Sequence, residues 1–596
     1  MTDKGPFIFR LNDNGSGPNL LMQVCLERGW REYNEGSSIK DNWNLWWRTG
    51  GFSLNHYKQL KPWQFTNHIP KASCICRKDN LSRYLKCMKK VFGGIYDFSP
   101  EAYNLPLEYT KLVAECSRQN QGESQGQGHA DVWICKPVGQ SQGRGISIFK
   151  KLSELVYYSN AVVQRYVQNP LLIGGYKFDL RLYVCVPSFR PLTVYLYKEG
   201  LARFGTEKFS LNDLDNHFAH LTNSSLNKLG PRYTEMKERV GAGCKWSLRQ
   251  LRHYLHQSGL KDWLLWQRIS ALVVLTVASQ LHGIPPSNNC FEFYGFDVLV
   301  DSSLRPWLLE VNLSPALGND CDVDPAVKKP MLHDMFDLLG LPVCNTGLSL
   351  FTIWSGETIR TISNQSCSSR STTSIEDTIT GEEDEEKTPI NVGGCGSSRA
   401  RSAPHTAVTV VTVANRWRRR GQPDQGRKKT AKTNHEPPPR PKTHRKPSAT
   451  RIGAFLPTVN IGEEYHGPEE WATCNEIVTK HNGTKTYRRS KCSPSALWGN
   501  GRDWRDPPTK EGDWVRVYPL GQKALGRNTL WHDETPEPHT TMFGDKEIKT
   551  IVSNVSKCSK LAKEIFQKNP TVSDEERNAL LMKNLGLAGL IWLPNN

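Results

Sequence analysis

The chain has 596 residues, more than a single hydrophobic core usually serves, and only 37% of them are hydrophobic, so we expect a folded front and a loosely structured back. Its formal net charge of +18 at pH 7 predicts an acidic partner, namely nucleic acid, an anionic membrane or an acidic polypeptide. The first residues lack the apolar core of a signal peptide, which argues against secretion. The 16 cysteines form no CxxC pair, which argues against a zinc site or a disulfide framework. We therefore expect an intracellular protein with reduced thiols.

Residues 1–130 are predicted to form a small N-terminal lobe. A strand is expected over Phe7–Leu11, and the tryptophan-rich stretch at 41–51 is expected to supply core packing. A helix is predicted over Asp79–Val91, and its basic residues either bind a partner or only face solvent. Residues 117–130 are rich in Gln, Gly and Ser and predict a loop.

Residues 131–345 are predicted to form an α/β (α+β) core. A strand ending at Lys136 is followed by a glycine-rich loop at 137–145, and two further strands are expected at 146–149 and 161–167. The loop fits neither GxxxxGK[ST] nor GxGxxG. Its backbone N–H groups, next to the ammonium group of Lys136, could nevertheless donate hydrogen bonds to phosphate oxygens, so the loop is a candidate phosphate-binding site.

Charged and apolar residues alternate along the strand predicted at 174–186. A period of two places Lys177, Asp179 and Arg181 on one face and apolar residues on the other. This polar face either lines a site or forms a ladder of cross-strand ion pairs.

The most apolar run, Leu260–Ile284, is interrupted by charges such as Lys261, Asp262 and Arg268. It therefore predicts a buried helix rather than a membrane span. A last helix, from Pro325 to Leu339, is expected to close the domain.

Between these helices, residues 291–313 predict a hairpin whose turn is Asp301–Ser303. Asp297 lies in its first strand, and Glu310 and Asn312 lie two apart in its second, so their side chains should converge. Carboxylate and amide oxygens suit Mg²⁺. The alternative is an edge hairpin whose acidic side chains are only solvated.

A series of motifs in this part of the chain carries a resemblance to a known family. They are WICKP with the following QGRGI, then QRYV, KFDLRLYV, YKEGLARF, HLTNSSLNK, FDVLVD and LLEVNLSP. The series resembles the tubulin tyrosine ligase-like family, a branch of the ATP-grasp ligases. Front segments such as WREYN and DNWNLWWRTGGF extend the likeness over most of residues 26–340. The resemblance implies an ATP-grasp-type ligase fold.

The same resemblance implies the following site residues. ATP would be held by Lys136, Gln142, Gly143, Gln164, Arg165, Tyr166, Val167, Lys177, Asp179, Thr222 and Asn223. Mg²⁺ would be bound by Asp297, Glu310 and Asn312, and free L-glutamate by Arg203, Ser225 and Lys245. Lys177, Arg181 and Glu310 would be the catalytic side chains, acting by positioning and charge neutralisation.

The implied activity is that of a tubulin polyglutamylase, which adds glutamate through isopeptide bonds to acidic tubulin tails by way of an acyl phosphate. Its place would be the cytoplasm and the microtubule cytoskeleton, including the cilium or basal body. Leu313 stands where members taken as glutamylases often have His, so glycine or tyrosine stays open as the amino acid, as does a non-catalytic microtubule scaffold. The need for accessory subunits stays open too.

Other partners are less favoured by the sequence. Nucleic-acid binding is suggested by charge alone, since no recognised module is present, and no membrane role is expected.

Residues 346–596 are predicted to be a mostly disordered, basic extension. They combine an acidic run at 382–386 with a basic, proline-rich segment at 416–451, a composition that buries too little apolar surface to offset chain entropy. A helical period is found at 573–593. The basic segment either attracts acidic microtubule surfaces or is a solvated linker or nuclear-targeting patch.

Overall fold

Three larger β-sheets and the helices packed on them carry the described part of the fold, as seen in a computed structural model of the chain. The structure describes residues 7–34, 41–124, 131–240, 244–287, 289–344, 480–481, 484–485, 502–521, 541–587 and 589–596.

The strands of the described residues are numbered in chain order. They are β1 (Ile8–Leu11), β2 (Arg31–Glu32), β3 (Leu45–Trp47), β4 (Phe65–Thr66), β5 (Ala102–Leu105), β6 (Trp133–Pro137), β7 (Ser147–Phe149), β8 (Ala161–Arg165), β9 (Leu172–Ile173), β10 (Tyr176–Phe189), β11 (Leu192–Lys208), β12 (Lys245–Ser247), β13 (Glu292–Val300), β14 (Pro306–Asn312), β15 (Lys480–His481), β16 (Thr484–Lys485), β17 (Lys510–Glu511) and β18 (Trp514–Tyr518).

The α-helices are numbered in the same way. They are α1 (Asn19–Glu27), α2 (Leu54–Gln59), α3 (Lys78–Phe92), α4 (Tyr109–Ser124), α5 (His217–His220), α6 (Ser224–Asn227), α7 (Tyr233–Val240), α8 (Leu248–Gln257), α9 (Trp263–Ala278), α10 (Val323–Leu338), α11 (Thr541–Lys568) and α12 (Asp574–Leu585). Short 3₁₀ turns lie at Ala72–Cys76, Gly93–Tyr96, Leu152–Glu154 and Leu281–Gly283.

The first sheet is parallel and has the strand order β2-β1-β3-β4. It joins the main body through aromatic contacts. The ring centroid of Trp30 lies 4.5 Å from that of Phe7 and 4.8 Å from that of Phe336 in α10. The front lobe is thus packed against the rest of the fold.

The second sheet is antiparallel, with the order β5-β8-β6-β7. The expected boundary at residue 130 cuts this sheet, because β5 belongs to the front part and pairs with β8, where Tyr103 faces Val163. Within the loop predicted over 117–130, residues 117–124 are helical instead, since α4 continues to Ser124, and residues 125–130 lie outside the described residues. Sequence composition does not show which distant strand an element joins.

The third and largest sheet has the order β14-β13-β10-β11-β18-β17, with β9 added to β10 and β12 to β11. Helix α9 packs on it and is apolar on nearly every side. Among the described residues, one helical stretch, Trp263–Gly283, is long and apolar enough by composition to cross a membrane, but 83% of its most apolar window is buried inside the fold. Such burial is typical of a core helix, as the interrupting charges predicted.

Part of the carboxy-terminal extension belongs to this core, so the segments 502–521, 541–587 and 589–596 are ordered where the sequence predicted disorder. Strand β18 pairs with β11, its Trp514 is fully buried, and Trp592 donates its indole N–H to the Tyr197 carbonyl at 3.1 Å. Residues 345–479, 482–483, 486–501 and 522–540 lie outside the described residues. Composition averaged over the extension hides short, strongly apolar segments that pair with distant strands.

Candidate functional site

A cavity of about 870 Å³, including space open to solvent, lies between the second and third sheets. The two sheets, the glycine-rich loop at 137–145 and the loop at 221–223 supply its walls. Thirteen predicted site residues line it: Lys136, Gln142, Gly143, Gln164, Arg165, Tyr166, Val167, Lys177, Asp179, Thr222, Asn223, Asp297 and Glu310. The others lie outside its lining: Arg181, Arg203, Ser225, Lys245 and Asn312.

The β13–β14 hairpin brings two acidic side chains to the cavity. Asp297 and Glu310 are direct partners in the antiparallel register, and Asn312 is the partner of Gly295. The register shifts just after Asp297, so that Leu309 and Glu310 both line the cavity. A β-bulge at such a place re-aims a side chain, here the Glu310 carboxylate.

Two guanidinium groups hold the Asp297 carboxylate. Arg181 Nε lies 2.6 Å from its Oδ1, and an Arg203 terminal nitrogen lies 2.9 Å from its Oδ2. Burial alone would raise the pKa of Asp297, but the two arginines hold that pKa well below its usual range. Arg181, predicted to be catalytic, lies outside the lining of the cavity and contacts the site through Asp297.

The donor set at the hairpin suits a hard cation. Asp297 and Glu310 offer carboxylate oxygens on one side of the cavity. Asp297 Oδ1 accepts from Arg181 alone and keeps a second lone pair, whereas its Oδ2 accepts from both arginines. The Asn312 amide nitrogen donates to the Gly295 carbonyl at 3.3 Å, which fixes the orientation of its amide group. The residues present thus fit Mg²⁺.

Two lysines in the cavity lack a carboxylate within ion-pair distance among the described residues. Lys136 donates to Gln164 Oε1 at 2.8 Å, and Lys177 donates to the Tyr166 hydroxyl at 2.7 Å and to the His220 carbonyl at 2.9 Å. Burial lowers the pKa of Lys136 to about 8 and the pKa of Lys177 to about 7. Buried ammonium groups with neutral partners are stabilised by an anionic ligand, as a polyphosphate would be.

Nucleotide binding is expected to take up protons between about pH 7 and pH 9. Polyphosphate raises the pKa of both lysines, whose pKa values in the free protein are about 8 and about 7. Both amines are already protonated at lower pH, so uptake disappears there, and affinity falls as the pH rises above about 7, the pKa of Lys177 in the free protein. Calorimetry of Mg-ATP binding in buffers of different ionisation enthalpy measures the uptake. Equal uptake by a Lys177→Met variant would contradict the assignment.

The glycine-rich loop closes over the cavity. Gln142 and Gly143 have φ values of 62° and 80°, in the left-handed region that favours glycine. A Cβ atom on Gly143 would lie 3.1 Å from Asn223 Oδ1, so the loop and the 221–223 loop approach closely here. This packing holds the backbone of the loop beside Lys136.

Lys78 is a cavity residue that the sequence reasoning missed. Its Nζ lies 3.7 Å from Glu310 Oε2 and donates to the Gln140 carbonyl at 3.0 Å, so it links the hairpin to the glycine-rich loop. The basic composition of α3 was the available signal. Only the fold shows which of its cations reaches a residue so far along the chain.

A Lys78→Ala variant is expected to bind ATP about tenfold more weakly, because charge-assisted hydrogen bonds contribute about 1.5–3 kcal/mol. The substitution removes a positive charge from the cavity and the hydrogen-bond donor to the Gln140 carbonyl. Titration with a fluorescent ATP analogue measures it. Lys111→Ala, at an exposed lysine of α4, is the matched control and should bind like the unaltered chain. Unchanged affinity in Lys78→Ala would remove Lys78 from the site.

The segment at 164–167 lines the cavity as predicted, except for the side chain of Arg165. The Arg165 side chain points to the opposite side, where it pairs with Glu101, Glu115 and Asp131, so its contribution to the cavity is its backbone. Apolar side chains that the sequence did not single out complete the lining: Ile134, Ile146, Leu221, Leu299 and Leu309. They provide the apolar surface that a nucleotide base requires.

The residues predicted to bind free glutamate already have partners or lie at the surface. Arg203 is buried and bonds Asp179 at 2.7 and 2.6 Å as well as Asp297. Lys245 is buried and lies 2.8 Å from Asp324, while Ser225 is exposed on α6. Sequence spacing showed the cations but not the aspartates that neutralise them.

Comparisons with known proteins agree with this geometry. A sequence model of the Tubulin-tyrosine ligase family matches residues 56–346. The proteins named Probable tubulin polyglutamylase TTLL2 of Homo sapiens and Mus musculus are each 46% identical over 337 residues, or 56% of this chain. The chain spans only 56% and 62% of the length of these two relatives.

A third relative is covered more fully. The Tetrahymena thermophila protein named Probable alpha-tubulin polyglutamylase Ttll1 is 33% identical over 359 residues, which are 54% of this chain and 83% of that protein. The predicted ATP-grasp-type fold is confirmed by the family match, which contains all the residues that line the cavity. The chain therefore belongs to the tubulin-tyrosine ligase family.

Proposed function

We propose that this chain is an ATP-dependent ligase that adds glutamate through isopeptide bonds to the acidic tails of tubulin. The observation that carries the proposal is the cavity in which Lys136 and Lys177, which have no carboxylate partner in the described part of the chain, face the acidic pair Asp297 and Glu310. Three cited relatives bear names of tubulin polyglutamylases, which supports the choice of amino acid and acceptor.

The proposed reaction joins two carboxylate-bearing partners. The γ-carboxylate of an acceptor glutamate attacks the γ-phosphorus of ATP, ADP leaves, and an acyl phosphate forms. The amine of free glutamate then attacks the acyl carbon, phosphate leaves, and the amine loses a proton. No side-chain nucleophile is needed, so the task of the protein is to position the reactants and offset their like charges.

The side chains of the cavity perform that task. Lys78, Lys136 and Lys177 supply positive charge to polyphosphate oxygens from both sheets and from α3. Asp297 and Glu310, with Asn312, would hold Mg²⁺, which when bound neutralises charge on phosphate oxygens. Arg181 and Arg203 keep Asp297 ionised and in place.

Tubulin, with its acidic tails, fits the net charge of +18 as a partner, and free L-glutamate is the proposed second substrate. The place of action proposed from these partners is the cytoplasm and the microtubules. Leu313, which leaves glycine and tyrosine open as alternatives, packs against the large hydrophobic cluster and does not line the cavity.

The test is incubation of the purified chain with tubulin, Mg-ATP and labelled glutamate, glycine or tyrosine in turn, followed by mass spectrometry of the tubulin tails. We expect glutamyl additions alone. Additions of glycine or tyrosine would redirect the proposal to that amino acid, and no addition at all would favour a microtubule-binding scaffold.

A further inference from the structure

A cluster of charged side chains lies beside Arg203, outside the lining of the cavity. Strand β12 places Lys245 directly opposite Arg203 of β11. Around Lys245 are two further lysines, Lys228 and Lys328, and two aspartates, Asp320 and Asp324. Three ammonium groups thus share two carboxylates, and the cluster keeps an excess positive charge.

The inner part of the cluster is fixed. Asp324 is fully buried and lies 2.8 Å from both Lys245 and Lys328. It also accepts the Asp320 backbone N–H at 3.1 Å. Burial alone would raise the pKa of Asp324, but the two lysines hold it below its ordinary value. The Asp324 carboxylate therefore forms ion pairs with two buried lysines, and we expect it to stay in place when a ligand binds.

The outer pair is different, because both of its members reach solvent. The Asp320 carboxylate lies 2.8 Å from Lys228, and their side chains are 43% and 38% exposed. Its other oxygen lies 3.7 Å from Lys245. Exposed ion pairs contribute little stability, and Asp320 lies in irregular chain between β14 and α10, so this carboxylate is easily exchanged for another.

We propose that Asp320 occupies the position of the side-chain carboxylate of the incoming amino acid, and that Lys228 is a specificity-determining residue for it. When a dicarboxylic amino acid enters, its distal carboxylate replaces that of Asp320 between Lys228 and Lys245. Ser225 of α6 comes three positions before Lys228, the residue that caps the carboxyl end of this helix, so the two lie on the same side of the turn. This inference rests on the proposed function and names what selects its substrate.

The position of the cluster relative to the cavity indicates that Lys228 binds the distal carboxylate of the amino acid and not its α-carboxylate. The α-amine must reach the acyl group in the cavity, and the α-carboxylate is attached beside that amine. Lys228 does not line the cavity and is partly exposed, so it suits the far end of the molecule. Glycine and tyrosine have no second carboxylate and would leave the Lys228–Asp320 pair in place.

The test compares binding of glutamate with that of glutamine, its neutral isostere, by saturation-transfer NMR on the full chain with Mg²⁺ and a non-hydrolysable ATP analogue. Asp320→Asn removes the competing carboxylate and should tighten glutamate binding about fivefold, whereas Lys228→Met should weaken it about tenfold. Glutamine binding should change little in either variant. Lys228→Arg keeps the charge and should retain most of the glutamate affinity.

Thermal unfolding of each variant shows whether it folds, and Lys111→Met on α4 is the surface control. Equal or weaker glutamate binding in Asp320→Asn would overturn the inference, as would parallel losses of glutamate and glutamine in Lys228→Met. Because binding is measured without turnover, these results are independent of ligase activity. Failure of the proposed function would appear instead as absent glutamyl addition to tubulin by the unaltered chain.

Discussion

In a Glu310→Gln variant the rate of ligation is expected to fall by about 10³-fold or more while the protein keeps its fold. A neutral amide binds a divalent cation much more weakly than a carboxylate does, so the charge that develops on phosphate is no longer neutralised. Glu310 is partly exposed at the cavity and lies 3.7 Å from Lys78, which is partly exposed as well, so among the described residues the substitution breaks a half-buried ion pair and no fully buried one. The measurement is the rate of labelled glutamate transfer to tubulin, with thermal unfolding as the check on folding.

The matched control is Glu575→Gln, at a glutamate in the first turn of α12, which should transfer glutamate at the normal rate. Lys78→Ala separates binding from turnover, since it should be rescued by high ATP concentration while Glu310→Gln should not. A Glu310→Gln protein that ligates normally would refute the role of the hairpin.

Truncation after Cys344 is expected to prevent stable folding, whereas replacing residues 345–501 by a short glycine-serine linker is expected to leave the fold intact. The truncation removes several fully or nearly fully buried side chains, including Trp514, Ile551 and Trp592. Each large core side chain contributes about 3–5 kcal/mol, and a domain is stable by only about 5–15 kcal/mol. Their joint loss exceeds the stability available.

The linker replacement is tolerated because both ends of the excised segment pack near the carboxyl end of α10. The Cys344 N–H donates to the Arg28 carbonyl at 2.8 Å, and Arg28 pairs with Asp337. Arg502 donates to the Asp337 carbonyl at 3.0 Å. Soluble yield and thermal unfolding compare the two proteins, and a truncated protein that melts like the full chain would contradict this account of the extension.

The position of the acidic pair on the hairpin could be predicted from the sequence. The hairpin pattern predicted that Asp297 and Glu310 converge, and both line the cavity, whereas Asn312, expected on the same face as Glu310, lies outside the lining. The strand that ends at Lys136 before a glycine-rich loop made this lysine a candidate phosphate contact, and it also lines the cavity. These signals are local in sequence. The bulge that turns both Leu309 and Glu310 toward the cavity could not be predicted, because it depends on the register between the two strands.

Long-range pairing explains the remaining differences. The ion pair between Arg181 and Asp297 could not be predicted, because the face of Arg181 on β10 was known but its partner on β13 was not. Lys78 was overlooked because Glu310 lies on another element far along the chain. The carboxy-terminal strand β18 was missed because a five-residue apolar segment is hidden in the composition of a long polar extension.

Acylation of lysines by an ATP analogue that carries a transferable acyl group on its γ-phosphate shows whether a nucleotide enters the cavity beside Lys136 and Lys177. Lys136 and Lys177 are nucleophilic near neutral pH, since their pKa values are about 8 and about 7, and both line the cavity. We predict that mass spectrometry finds the acyl group on one or both of these lysines and that excess Mg-ATP prevents it. Modification confined to lysines outside the cavity, unchanged by Mg-ATP, would contradict the account.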